Sequence, residues 1–141
     1  MKRLLKSSVG LSLIEMLVVI GILAFIVSVV ARNVNQSRKK SDVNKAKILI
    51  GLIQQAMEEF SLDCGYYPES LEDLVSDSGE CEEWGPTAYL KNGKIPKDPW
   101  GQNFVYQYNP EISNFEIISY GADRKPGGNN RFDKDISSSE I

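Results

Sequence analysis

The sequence predicts an α+β fold, a long N-terminal α-helix packed against a small antiparallel β-sheet head, and three observations carry that prediction. Residues 11–31 are apolar apart from Ser12, Glu15 and Ser28, and as a helix they rise roughly 30 Å, about the thickness of a bilayer's hydrocarbon core. No proline follows until Pro68, and Gly51 is the only glycine between Ala31 and Phe60, so nothing breaks the helix before about Leu62. Phe104, Tyr106 and Tyr108 alternate with Val105 and Gln107, the pattern of a strand with one buried face.

The chain divides into residues 1–10, a basic leader; 11–31, a transmembrane helix; 32–62, its polar continuation packed on the head; and 63–141, the head. A fully buried core helix is the competing reading of residues 11–31, but 141 residues leave little polypeptide to surround one. Charge is split along the chain. Residues 1–47 carry nine Lys or Arg against two acids, and residues 48–141 carry seven against seventeen. An acidic head repels phosphates, which argues against nucleic acid as a partner.

Histidine is absent, which removes Ser/His and Cys/His nucleophilic sites, and no pair of carboxylates has a recognisable catalytic arrangement, so the chain reads as no enzyme. The two cysteines, Cys64 and Cys81, lie at the ends of a predicted loop. They bridge if the head reaches an oxidising compartment and otherwise stay reduced.

Along the second half of the helix, Ala46, Leu49, Ile53, Met57 and Phe60 recur at spacings of three and four, which predicts one buried stripe. The basic stretch 33–47 reads as solvated or as a contact between subunits, with a lipid-binding polybasic role as the alternative. In the head, residues 69–75 predict a short helix with Pro68 in its first turn and Leu71, Leu74 and Val75 on one face. The segment Pro96-Lys97-Asp98-Pro99-Trp100-Gly101 predicts a rigid turn, with tryptophan as a packing surface. Residues 104–108 and 115–119 predict a hairpin, and residues 89–95, turning at Asn92-Gly93, a third strand.

Lys2, Arg3 and Lys6 precede Gly10, and the apolar run follows it directly, the reverse of a secretory signal, where the cut lies after the apolar segment. Cleavage after Gly10 would leave the hydrophobic helix on the mature protein. Gly10-Leu11-Ser12-Leu13-Ile14-Glu15 before an unbroken apolar run resembles the leader junction of type IV pilins and pseudopilins. Leu11 and Ser12 depart from the usual phenylalanine and threonine, and Arg32 stands about where many relatives have proline. The resemblance implies that a prepilin peptidase cuts between Gly10 and Leu11 and methylates the new amino group of Leu11. It further implies that Glu15 meets the amino terminus of a neighbouring subunit. An unpartnered carboxylate in hydrocarbon costs on the order of 3 kcal/mol, so such a partner has a physical purpose. The competing role for Glu15 is to favour the positive end of its own helix.

Tyr66-Tyr67-Pro68 and the Asp98-Pro99-Trp100-Gly101 word resemble the major pseudopilins of type II secretion, and the likeness spans nearly the whole chain. It implies a homopolymeric periplasmic filament, assembled with minor pseudopilins by an inner-membrane platform. The protein would be a single-pass inner-membrane protein with its head in the periplasm, an orientation that the balanced flanking charges do not decide. A type IV or competence pilin, serving adhesion or DNA uptake, is the alternative.

At the C-terminal end, Gly121-Ala122-Asp123, Gly127-Gly128 and Asp135-Ile136 resemble the calcium loop of major pseudopilins. The resemblance implies Ca²⁺ held by Asp123, Asp133 and Asp135 with the carbonyls of Tyr120 and Lys125. The spacing is not that of an EF-hand, and a plain glycine-rich surface turn is what these residues suggest by themselves.

Overall fold

The computed structural model describes residue 10 and residues 12–141, with the side chains of Arg32 and Asn33 excepted. One helix, α1 (Leu13–Cys64), carries the N-terminal half of the chain. The head adds the strands β1 (Val105–Asn109), β2 (Asn114–Ser119) and β3 (Ile136–Ser137), in spatial order β1-β2-β3, both pairs antiparallel. Contacts divide the chain into two units, Met1–Arg38 and Lys39–Ile141.

In the first unit, the large apolar side chains between Leu13 and Val30 are 45% to 80% exposed. Among the described residues, α1 is the one helix long and apolar enough to cross a membrane. Each such side chain gains about 1.5–3 kcal/mol on leaving water, so this surface is built for lipid or for other helices. Ser12 opens the helix. Its hydroxyl accepts from the Glu15 N–H and its own N–H donates to the Glu15 carboxylate, both at 3.4 Å, the reciprocal bonds of a capping box.

In the second unit, Ala46, Ile50, Ile53, Ala56, Met57 and Phe60 of α1 are buried against Leu71, Leu74, Leu90, Phe104, Ile117 and Ile136. The buried stripe runs through Ile50, one residue past the Leu49 of the sequence reading; Leu49 is half-buried at its edge. Helix α1 is terminated by Gly65, the residue after its last, whose φ of +80° only glycine adopts freely and whose N–H returns to the Ser61 carbonyl at 2.9 Å. Cys64 and Cys81 are joined by a disulfide, their Cα atoms 5.5 Å apart.

Two expected elements differ. The helix predicted over residues 69–75 is a single 3-10 turn, Leu71–Leu74, and Pro68 lies buried outside it. Ser70 caps that turn, its N–H and hydroxyl both donating to the Asp73 carboxylate, so the chain tightens at Ser70 rather than at the proline. The strand predicted over residues 89–95 is also absent: Lys91–Gly93 forms a 3-10 turn with Asn92 left-handed at φ 63°. Tyr89 is tied down instead by long-range bonds, its N–H to the Leu74 carbonyl and its hydroxyl to Asp63. The third strand is β3, near the C-terminal end of the sequence.

The expected hairpin forms, with Tyr106 opposite Ile117, and its ladder extends one pair further than the predicted strands, to Asn109 opposite Asn114. Tyr106 and Tyr108 share a face with their rings stacked 6.5 Å apart, and the Tyr106 hydroxyl donates to the Pro68 carbonyl at 2.7 Å. Burial, with the nearby charges of Tyr108, Asp73 and Tyr67 added, raises the Tyr106 phenol well above its usual range. The phenol holds its proton more tightly folded than unfolded, so its stabilising share is complete below about pH 10 and is lost as pH rises through the folded value. Tyr106→Phe is therefore expected to be less stable at neutral pH by about 1 kcal/mol for the lost bond to Pro68. It should also lose less melting temperature than the native chain between about pH 9 and pH 12. Parallel alkaline melting curves for the two proteins would contradict this.

Candidate functional site

The sequence singles out two regions. At the N-terminal one, Leu11 lies outside the described residues, Gly10 is exposed, and Glu15 is turned back onto Ser12 in the capping box. That bond uses the positive end of the helix. The Ser-x-x-Glu spacing makes it legible in the sequence.

The C-terminal loop runs from Tyr120, half-buried directly after β2, to Asp135, directly before β3. Three glycines let it close. Gly121 (φ +72°) sits so near the Phe132 and Lys134 carbonyls that a Cβ there would lie 3.0 and 3.1 Å from them, and at Gly128 (φ +106°) a Cβ would overlap the Asp133 carbonyl. Gly127 (φ +94°) closes the loop on Asp135. Its N–H donates to Asp135 Oδ2 at 2.9 Å and its carbonyl accepts the Asp135 N–H at 3.2 Å. Ala122 N–H donates to the Phe132 carbonyl at 3.0 Å, tying the ascending and descending arms together. Lys39 of α1 stands 5.6 Å above the Phe132 ring, a cation–π contact.

The three aspartates named from the sequence have separate partners. Asp123 is exposed and its Oδ1 accepts the Lys125 N–H at 3.1 Å, a local turn. The Asp133 carboxylate is engaged by the side-chain amide of Asn130. Among the described residues no three acidic, histidine or cysteine side chains form a group able to hold a metal. Asp135 is different: its Oδ1 is buried and has no hydrogen-bond partner. A buried carboxylate oxygen without a donor is costly, and a hard cation is one group that would satisfy it. The loop therefore offers a cation one unsatisfied carboxylate oxygen, at Asp135, and does not form a three-carboxylate cage.

Sequence reading missed Asp98. It took the turn's rigidity from its prolines, whereas the 5%-exposed carboxylate organises it. Asp98 Oδ1 accepts the N–H groups of Trp100 (3.0 Å) and Gln102 (2.7 Å), and Oδ2 accepts the Ser119 hydroxyl at 2.8 Å. An aspartate before Pro-Trp-Gly is a turn signal, but its link to Ser119 joins residues distant in sequence.

Comparison with known proteins then places the chain. Residues 33–139 match the family described as type II secretion system (T2SS), protein G. The chain belongs to that protein G family. Two relatives within it are both called type II secretion system core protein G. The one from Xanthomonas campestris pv. campestris is 34% identical over 90% of this chain and 87% of its own length. That from Pseudomonas aeruginosa is 35% identical over 90% and 92%. The crystal structure of the major pseudopilin from the type 2 secretion system of enterohaemorrhagic Escherichia coli shares the fold, with a TM-score of 0.60 over 77% of this chain and 96% of that one, at 24% identity. Membership in the protein G family accords with a structural rather than an enzymatic chain, and the long apolar helix accords with a membrane anchor.

Proposed function

We propose that this chain is the major pseudopilin of a type II secretion system, a structural subunit that polymerises into a periplasmic pseudopilus supporting export of folded proteins. The observation that carries the reading is the exposed apolar half of α1 on a chain of the protein G family. In the free subunit that surface is buried by the inner membrane; in the filament it is buried by the helices of other copies. A prepilin peptidase cuts between Gly10 and Leu11 and methylates the Leu11 amine, and an inner-membrane platform assembles the subunits together with minor pseudopilins. The head lies in the periplasm, a placement that the Cys64–Cys81 bridge supports, since disulfides persist in oxidising compartments.

On this reading Glu15 has two successive tasks, capping its own helix and then meeting the Leu11 amine of a neighbour. The two can be separated. Glu15→Gln keeps a capping group but no charge, and Glu15→Leu keeps neither. Both variants are expected to insert into membranes as the native chain does. Both should also lower cross-linked filament yield at least about tenfold, because the neighbour's amine is left buried and unpaired. Native yield from Glu15→Gln would refute the charge pairing.

The C-terminal loop is proposed to bind Ca²⁺ through Asp135, with Asp123 and the carbonyls of Tyr120 and Lys125 contributing and Asp133 nearby. Bound Ca²⁺ would supply positive charge to the orphaned Asp135 oxygen and fasten the two arms of the loop. EGTA is expected to lower the head's melting temperature by roughly 13 °C, the effect of removing a ligand present at about a hundred times its Kd. Asp135→Ala should abolish that difference. Equal melting with and without chelator would remove calcium from the account.

A further inference from the structure

We infer that Asp98 is a positioning residue for the C-terminal loop and acts on it through the Ser119 hydroxyl; the ligand in this inference rests on the calcium reading above. The Asp98 carboxylate divides its work. Oδ1 is occupied by the N–H groups of its own turn, Trp100 and Gln102, which leaves Oδ2 for the Ser119 hydroxyl at 2.8 Å. Ser119 is 1% exposed, so this bond is shielded from water. A hydroxyl that donates to a carboxylate has its hydrogen fixed and presents its lone pairs elsewhere. The Gly121 N–H lies 3.4 Å from that oxygen and donates to it.

The relay reaches both ends of the loop. Ser119 is the last residue of β2 before the loop leaves, and its partner across the sheet is Ile136, the first residue after the loop returns. Asp135, with the unpartnered oxygen, is the neighbour of Ile136. Gly121 is packed on the carbonyls of Phe132 and Lys134, so a shift of Gly121 is passed directly to the descending arm. Asp98 thus holds the two ends of the loop at a fixed separation from a turn outside it, without touching the cation. Groups hydrogen-bonded directly to metal ligands change affinity about 10- to 100-fold when removed, and a relay one step further out is expected at the low end of that range.

The test uses the full chain in detergent micelles, with calcium titrated calorimetrically and amide exchange of residues 120–135 followed in EGTA. Ser119→Ala removes the relay but leaves both turn bonds of Asp98 in place. It is expected to raise the calcium Kd about tenfold and to speed exchange across the loop. Asp98→Asn, which keeps an acceptor for the turn, should fall between Ser119→Ala and the native chain. Ile53→Val, a core change in α1 that lowers melting temperature without touching the relay, should do neither. A Kd for Ser119→Ala within about twofold of native, or an equal loss in Ile53→Val, overturns the positioning role. If the native chain takes up no calcium, the calcium reading fails and exchange in EGTA decides alone. Unchanged exchange in Ser119→Ala then overturns the relay as well, and faster exchange sustains it as the device that sets the loop's shape.

Discussion

Asp98→Ala is expected to destabilise the head by about 3 kcal/mol, because three donors lose their acceptor at once. The donors are the N–H groups of Trp100 and Gln102 and the Ser119 hydroxyl. Each unsatisfied group costs on the order of 1–3 kcal/mol when water cannot reach it, and the exposure of Gln102 and the partial exposure of Trp100 keep the sum toward the low end. The turn would not simply refold around alanine. Its closing bonds, Gly101 N–H to the Asp98 carbonyl and Asp98 N–H to the Gln102 carbonyl, both at 2.9 Å, need the same backbone path that the carboxylate enforces. Thermal melting should fall by roughly 15 °C for a domain of this size. Asp98→Asn should cost about 1 kcal/mol, since one acceptor oxygen survives. If Asp98→Ala melts within about 3 °C of the native chain, water satisfies the turn and the carboxylate is dispensable to stability.

Asp98 also marks where sequence reading reaches its limit. The long helix was legible because its evidence is local: no proline from Arg32 to Tyr67, and apolar residues at spacings of three and four. The hairpin was legible for the same reason, since alternation at Phe104, Tyr106 and Tyr108 fixes which face is buried. The stripe on α1 slipped by one residue at Leu49 and Ile50 because both are large and apolar, and the choice between them depends on what packs opposite. Asn92-Gly93 is a strong hairpin signal by itself. Its N-terminal flank, at Tyr89, found tertiary partners in Leu74 and Asp63 instead of a facing strand, and β3 is too short at two residues to show any period.

The candidate sites divide in the same way. Gly121, Gly127 and Gly128 announce a loop that must turn left-handed, and the structure closes that loop through the Gly127 bond to Asp135. What the sequence could not show is how the three aspartates share the loop. Asp123 and Asp133 are satisfied within two or three residues of themselves, and only Asp135 is left with a buried oxygen free of donors. Short side chains in a loop of turns find local amides first, and this local competition is invisible in a list of acidic residues.

Reducing the Cys64–Cys81 bridge is expected to cost the head about 3 kcal/mol, the chain-entropy value for a loop of about this length. The bridge joins the last residue of α1 to the far end of a segment whose final run before Cys81, residues 76–80, has no buried side chain. Between them lie one buried 3-10 turn and a run, residues 76–80, that is exposed throughout. Residues 65–83 carry seven acids and no base, and among the described residues none of these acids is ion-paired within the chain. Like charges favour the extended loop, so the bridge works against electrostatic expansion as well as chain entropy. What remains after reduction is the packing of Pro68, Leu71 and Leu74, the bonds to the Pro68 and Leu74 carbonyls from Tyr106 and Tyr89, the Trp84 bond to the Asp73 carbonyl at 2.9 Å, and the edge-on contact of Trp84 with Tyr89. The head's melting temperature should therefore fall by roughly 15 °C on reduction or in a Cys64→Ala, Cys81→Ala double variant. The fall should be larger at low salt, where the Debye length exceeds about 10 Å and the acids are least screened. Amide exchange should rise first over residues 65–84 and last in β1 and β2, whose ladder does not pass through the bridge. Uniform exchange across the head after reduction would instead mean that the loop and the sheet unfold as one unit. Melting unchanged by reduction would show that Leu71, Leu74 and Trp84 hold the segment without it.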